Sequence, residues 1–307
     1  MTKNSQASKN QTSSDNIFIE ASFDNATNTI SYLVADLDAK EAVIIDPVLD
    51  YDHRSGTVDT ASVEAILERA KELDLKVLWA LETHAHADHL SGSPMIKILT
   101  GAKIGIGEHI TKVQEIFRPV FAADDLKTDG SDFDRLFAEG DEIKIGRFTM
   151  KIMHTPGHTP ADISYHIQDA VFVGDTMFMP DFGTARTDFP GGDAEQLFDS
   201  IHKLLELPDE TRLFMCHDYK APGRTEFAWE TTVAAQKNNK HIKDGVTKEQ
   251  YVEMRAKRDA ALAAPVLLLP SIQVNIRAGR FPKAEKNGVH YLLVPVKAKN
   301  SNLVFDA

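Results

Sequence analysis

The sequence predicts a mixed α/β (α+β) fold, in which short strands and helices alternate along one chain. Three observations carry that expectation. The hydrophobic period switches repeatedly between two and the three-and-four spacing of a helix. Asp-Asn, Gly and Pro turns fall at the switches. Side chains of metal-ligand type, His and Asp, stand just past the ends of several predicted strands, where α/β sheets open their ligand crevices.

The elements follow in order. Residues 17–23, 29–36 and 41–45 are β-branched or aromatic runs separated by polar turns, and read as consecutive antiparallel strands. Asp46-Pro47 stops the third run, and a Gly-containing loop leads to Thr60. With Glu64 four residues on, Thr60 opens an amphipathic helix that spaces Val63, Ile66, Leu67 and Ala70 on one face. Residues 75–81 form a nearly continuous buried strand. Ser93-Pro94 starts a short helix, and 103–106 reads as a strand. The polar, Asp-rich stretch 108–137 reads as an excursion suited to a lid or an oligomer contact. A hairpin is expected over 143–153 around Ile145-Gly146-Arg147, then strands at 163–167, 171–175 and 212–215. A helical stretch is expected at 248–264, an apolar run over 265–276 returning to the body, and a final strand at 288–299.

At 307 residues, 42% hydrophobic and 26% charged, the chain can bury a large core. One domain over 16–280 is expected, preceded by a disordered tail at 1–15 and followed by an extension at 281–307 packed on the same domain. A net charge of −12, with no basic cluster among aromatics, argues against nucleic acid as a partner. No run is apolar and long enough to span a membrane. The tail has neither the apolar stretch of a secretory signal nor the arginines of a mitochondrial presequence, so a cytoplasmic location is expected. Cys216 is the single cysteine, excludes an intrachain disulfide, and reads as a small buried hydrophobe.

The chemistry concentrates in Thr83-His84-Ala85-His86-Ala87-Asp88-His89, joined by His158, Asp175 and His217. Imidazole and carboxylate suit the same first-row ions, so this cluster needs only a backbone that turns its side chains inward. The remaining histidines are scattered singly along the chain and read as ordinary surface or core residues.

The order His-x-His-x-Asp-His, Pro-Gly-His-Thr, Gly-Asp-Thr, Cys-His-Asp-Tyr resembles the metallo-β-lactamase superfamily over roughly residues 17–220. That resemblance implies an αββα sandwich of two mixed sheets flanked by helices. The flanks Leu90-Ser91-Gly92, Arg186-Thr187-Asp188-Phe189, His217-Asp218-Tyr219 and Val274-Asn275-Ile276-Arg277-Ala278-Gly279 are similar to the persulfide dioxygenase (sulfur dioxygenase) family, in its bacterial β-lactamase-hydrolase-like branch. Such enzymes oxidise glutathione persulfide with O2 to sulfite and thiol. The resemblance implies one Fe(II) per chain on His84, His158 and Asp175, with His86, Asp88, His89 and His217 orienting those ligands or holding a second metal. It implies substrate contacts at Tyr219 and Arg186, although packing is the alternative role for Tyr219 and, for Arg186, pairing with Asp188 or Asp218 to brace the loop ranks ahead of direct binding. Where the family commonly has Asn-Pro-Arg, this chain has Asn239-Lys240-His241, so either Lys240 or His241 takes over that arginine's part or another low-molecular-weight persulfide is the substrate. Family habit points to a homodimer, with a small thiol persulfide and O2 as the other partners.

The competing expectation is a glyoxalase II-like thioester hydrolase with two Zn or Fe ions. His84, His86, His158 and Asp175 would hold one ion, and Asp88, His89, Asp175 and His217 the other. A non-catalytic sensor would be expected to lack a ligand, and none is missing.

Overall fold

The computed structural model describes residues 16–243 and 245–296. The tail expected at 1–15 and the last part of the extension, 297–307, lie outside the described residues.

Strands β1 (Phe18–Asp24), β2 (Thr29–Asp36) and β3 (Glu41–Ile45) pair antiparallel in sequence order. A small hairpin, β4 (Val48–Asp52) and β5 (Thr57–Asp59), leads to α1 (Ala61–Glu72) and then β6 (Lys76–Leu81), which lies parallel to β3. The ligand loop and the short β7 (Leu90–Ser91) precede α2 (Ser93–Thr100), β8 (Lys103–Gly107), α3 (Ile110–Phe117) and β9 (Arg135–Phe137). These build one six-stranded mixed sheet, β1-β2-β3-β6-β8-β9. The second sheet consists of β10 (Glu142–Ile145), β11 (Phe148–His154), β12 (Ile163–Ile167), β13 (Ala170–Phe172), β14 (Arg212–Phe214) and β15 (Glu230–Thr232), adjacent in that order. Helix α4 (Ala194–Leu205) crosses between β13 and β14; α5 (Val233–Gln236), α6 (Lys248–Asp259) and α7 (Leu268–Asn275) follow.

Why these strands are buried on both faces follows from the period of two. In β2, Tyr32 and Val34 join the core between the sheets, which also holds Ile145, Ile152, Tyr165 and Phe172 from the second sheet. Their neighbours Leu33 and Ala35 point the other way, under α1 and α2, with Val63, Ile66 and Ile96. Val171 and Leu213 on the second sheet likewise meet Leu197, Ile201 and Leu204 of α4. The layers therefore run helix, sheet, sheet, helix, which is the expected αββα sandwich. Truncating Phe172 to Ala at its centre would cost about 3–5 kcal/mol.

Three expectations need correction. The loop after Asp46-Pro47 contains the β4–β5 hairpin, whose first strand also pairs with β7. The stretch 108–137 is not a detached excursion: Ile110, Val113 and Phe117 line the buried side of α3, and Phe121, Leu126 and Phe133 join them in one apolar cluster. The described part of 288–299 forms no strand. There Pro295 lacks a donor, and the amide of Gln273 stands where a neighbouring strand would, accepting from Leu293 N (2.8 Å) and donating to Leu293 O (2.9 Å).

Candidate metal centre

Loops at one edge of the sandwich bring together all seven donors that the motifs single out. Two groups form there: His84, His158 and Asp175, and His86, Asp88, His89 and His217, with the donor atoms of each group within 4.8 Å of one another. The first loop leaves the end of β6, Asp175 follows β13, and His217 follows β14. His158 rides on a turn at Gly157, whose φ of +138° favours glycine and whose missing Cβ would lie 2.3 Å from Leu197 N of α4. Asp175 stands between the groups: one carboxylate oxygen is 3.7 Å from His158 Nε2, the other 3.6 Å from His217 Nε2.

The hydrogen bonds fix which ring nitrogen faces the site. A carbonyl can only accept, so His158 Nδ1, 2.8 Å from Arg186 O, carries hydrogen and leaves Nε2 as a lone pair. The same logic applies to His217, whose Nδ1 faces Asn28 O at 3.3 Å. His86 is reversed. Its Nε2 donates to the Asp46 carboxylate (2.9 Å), so Nδ1 is the free donor atom. Thr83 Oγ1 donates to Asp46 (2.9 Å) and accepts from His84 Nδ1 (3.1 Å), which frees His84 Nε2.

These free atoms are the test of whether a metal fits. His86 Nδ1, His89 Nε2, His217 Nε2 and Asp175 Oδ1 are buried with no hydrogen-bond partner, an arrangement that is costly unless a cation completes it. Burial, reinforced by neighbouring imidazoles, holds His84 and His86 well below the usual imidazole range, and burial lowers His158 too. All three are neutral at pH 7, as metal ligation requires. Burial, together with the charges of Asp88 and Asp46, pushes the Asp175 carboxyl well above its usual range. A bound cation is the natural counterweight to that repulsion.

Three supporting residues escape a reading of the sequence by ligand type. Asp46, fully buried, accepts from Thr83 N (2.7 Å), Thr83 Oγ1 and His86 Nε2, and so ties both ligand groups to the end of β3. Glu82 accepts from the hydroxyls of Ser91 and Ser93 beneath the loop; burial first, then Asp46, raises it to about 8. Asn275, noticed only through its family motif, donates to both His86 O and His89 O at 2.8 Å and accepts from Ser91 N.

The residues expected to touch substrate separate into two kinds. Tyr219 lies at the centre, its ring stacked on His217 at 5.6 Å and its hydroxyl 3.4 Å from Asp88, beside Phe178 and Phe182. Lys240 holds its ammonium over the Phe182 ring at 5.3 Å. Arg186 is engaged by Asp188 (2.6 and 2.7 Å) and Ala263 O (2.8 Å), which is the bracing role. His241 is buried, its Nδ1 accepting from Thr184 N at 3.0 Å.

Residues 25–217 match the model of the metallo-beta-lactamase superfamily. A probable metallo-hydrolase of Burkholderia pseudomallei is 50% identical, covering 91% of this chain and 99% of that one. Glyoxylase B2 of Dictyostelium discoideum is 48% identical over 86% of this chain and 91% of its own length. The human mitochondrial persulfide dioxygenase ETHE1 is 33% identical over 66% of this chain and 69% of its own. Among solved structures, ETHE1 from Myxococcus xanthus superposes with a TM-score of 0.69 at 30% identity, covering 86% of this chain and all of that one. No helix among the described residues is long and apolar enough to cross a membrane. In sequence and in architecture, the chain belongs to the metallo-beta-lactamase superfamily.

Proposed function

We propose that this protein is a persulfide dioxygenase that uses one Fe(II) held by His84, His158 and Asp175. The donor set carries the reading: two neutral imidazoles and one carboxylate converge from three separate segments, a combination that suits non-haem Fe(II) oxygenases. The likeness to human persulfide dioxygenase and to the Myxococcus structure supports it. The net reaction takes a persulfide, O2 and water to thiol, sulfite and two protons. The outer sulfur gives up four electrons, and O2 accepts them.

A ferrous ion held by these residues would bring sulfur and oxygen together and relay electrons from one to the other. The chain's own residues do the rest. The carbonyl of Arg186 and the hydroxyl of Thr83 keep His158 Nε2 and His84 Nε2 turned inward. Tyr219, Phe178 and Phe182 wall one side of the centre with aromatic surface, which excludes water and receives the apolar part of the thiol. Since Arg186 is already paired, Lys240 is the cation for a carboxylate of the thiol carrier, glutathione or a related small persulfide.

A second reading is favoured by the complete second donor group and by the name of the Dictyostelium relative: a thioester hydrolase with a binuclear site. Metal analysis of chelator-free protein, paired with an oxygen electrode on glutathione persulfide, separates the two. One iron per chain with persulfide-dependent oxygen uptake supports the dioxygenase. Two zinc ions with thioester cleavage and no oxygen uptake would overturn it.

A further inference from the structure

Helix α6 lies beyond the residues that match the family model, yet it grips the segment that orients a metal ligand. Thr247 and Gln250 close a capping box at its start. Tyr251, Arg255 and Asp259, spaced four apart, form its buried face. Each reaches into residues 184–188. The Tyr251 hydroxyl meets Thr184 Oγ1 at 2.8 Å, Arg255 donates to Thr184 O at 3.1 Å, and Asp259 accepts from Thr187 N at 2.8 Å and from Thr187 Oγ1 at 3.1 Å. Just past the helix, Ala263 O accepts from Arg186. Between these anchors sits the Arg186 carbonyl, the acceptor that sets the ring of His158.

We propose that Tyr251, Arg255 and Asp259 are positioning residues for the metal centre, holding the Arg186 carbonyl in the one place that aims His158 Nε2 at the ion. Packing alone gives no reason for this face to be polar. Arg255 and Asp259 are 2% and 5% exposed and paired with each other, while Arg255 Nε has no hydrogen-bond partner. A buried ion pair is often replaceable by apolar side chains without loss of stability. What the apolar replacement could not do is hold Thr184 O and Thr187 N by direction-specific bonds. Outer partners of metal-ligating histidines act through orientation and basicity, and here that partner is a backbone carbonyl whose location a separate helix dictates. The inference rests on His158 being a ligand, and not on which reaction the centre runs.

The test is the affinity of the full-length chain for Co(II), measured by competition with a chromophoric chelator, with the visible absorption of bound Co(II) as a second readout. Asp259→Asn should lower affinity by about 10- to 100-fold and change the Co(II) band, with unchanged far-UV circular dichroism. In a His158→Ala background the same substitution should have no further effect. Wild-type affinity and spectrum in Asp259→Asn overturn the proposal. So does an equal loss in both backgrounds, because the effect would then bypass His158. Should Asp259→Asn fail to fold, Tyr251→Phe carries the same comparison, with an expected loss of about fivefold, the weight of one neutral hydrogen bond. No loss there overturns it equally. His158→Ala alone tells a wrong ligand assignment from a wrong positioning role, since unchanged Co(II) affinity in that variant removes His158 from the centre altogether.

Discussion

The two donor groups, though they share one edge of the sandwich, are built differently. His84, His158 and Asp175 come from three segments on two sheets, whereas three of the four residues of the other group lie within the single loop that follows β6. His158 is set by a backbone carbonyl at 2.8 Å, while His89 Nδ1 is 3.4 Å from Thr29 Oγ1 and 3.5 Å from Asp88. The first group is thus drawn from three segments, and the second mostly from one loop, which Asp46 (2.9 Å to His86 Nε2) and Asn275 (2.8 Å to His86 O and His89 O) brace from outside. Rigid placement from independent elements is what a permanent ligand set requires.

Breaking the first group should have the largest effect. Any one of His84→Ala, His158→Ala or Asp175→Ala is expected to weaken metal binding by more than about 100-fold, beyond what loss of an outer partner does, and to abolish persulfide-dependent oxygen uptake. Equilibrium dialysis with metal analysis is the check, and full metal content in any one of them refutes the assignment. Asp46→Ala strikes both groups at their common anchor, since it strands the donors of Thr83 and His86 in the interior. A loss on the order of 3 kcal/mol is expected, readable as a lower urea midpoint. Asp88→Ala touches only the second group and should keep one metal equivalent, with affinity within about tenfold of the parent. Loss of all metal there would instead favour the binuclear centre.

The smallest effect sharpens the comparison through pH. Burial first, then Arg255, Arg258 and Lys240, holds His241 down to about 3. On acidification the unfolded imidazole takes its proton first, near its ordinary value of about 6.5. The native state takes it only near 3, so stability falls across that window. His241→Asn removes this proton uptake and should flatten the decline of the urea midpoint between neutral and mildly acid pH. An unchanged slope would show that His241 is not what makes the protein acid-sensitive.

Much of this centre was legible in the sequence because ligand chemistry leaves a local mark. His84, His86, Asp88 and His89 crowd one loop, and His158, Asp175 and His217 each follow a strand end. The strands β2 and β3 were legible too, as β-branched and aromatic runs between polar turns, but their burial on both faces was not, since Thr29, Ser31, Asp36 and Glu41 interrupt the apolar pattern. What stayed hidden is nonlocal. Asp46 and Glu82 look like surface carboxylates until the fold closes over them. Helix α3 hides its face of Ile110, Val113 and Phe117 next to an Asp-rich segment that dominates the average. Helix α4 had a signal, Asp193 capping Glu195 N and Gln196 N ahead of Leu197, Ile201 and Leu204, that the ligand motifs on either side overshadowed. At 288–296 a β-branched run promised a strand, but whether a strand forms depends on a partner edge, and a single glutamine side chain took that place.

Gly157 leaves no clearance between the His158 turn and the start of α4, and Asp193 N ties the two again through Gly157 O at 2.8 Å. Turn and helix therefore move as one lever. A change in the seating of Leu197 would be felt as a tilt of the His158 imidazole, so the outer helical layer of this sandwich helps to set its reactive edge.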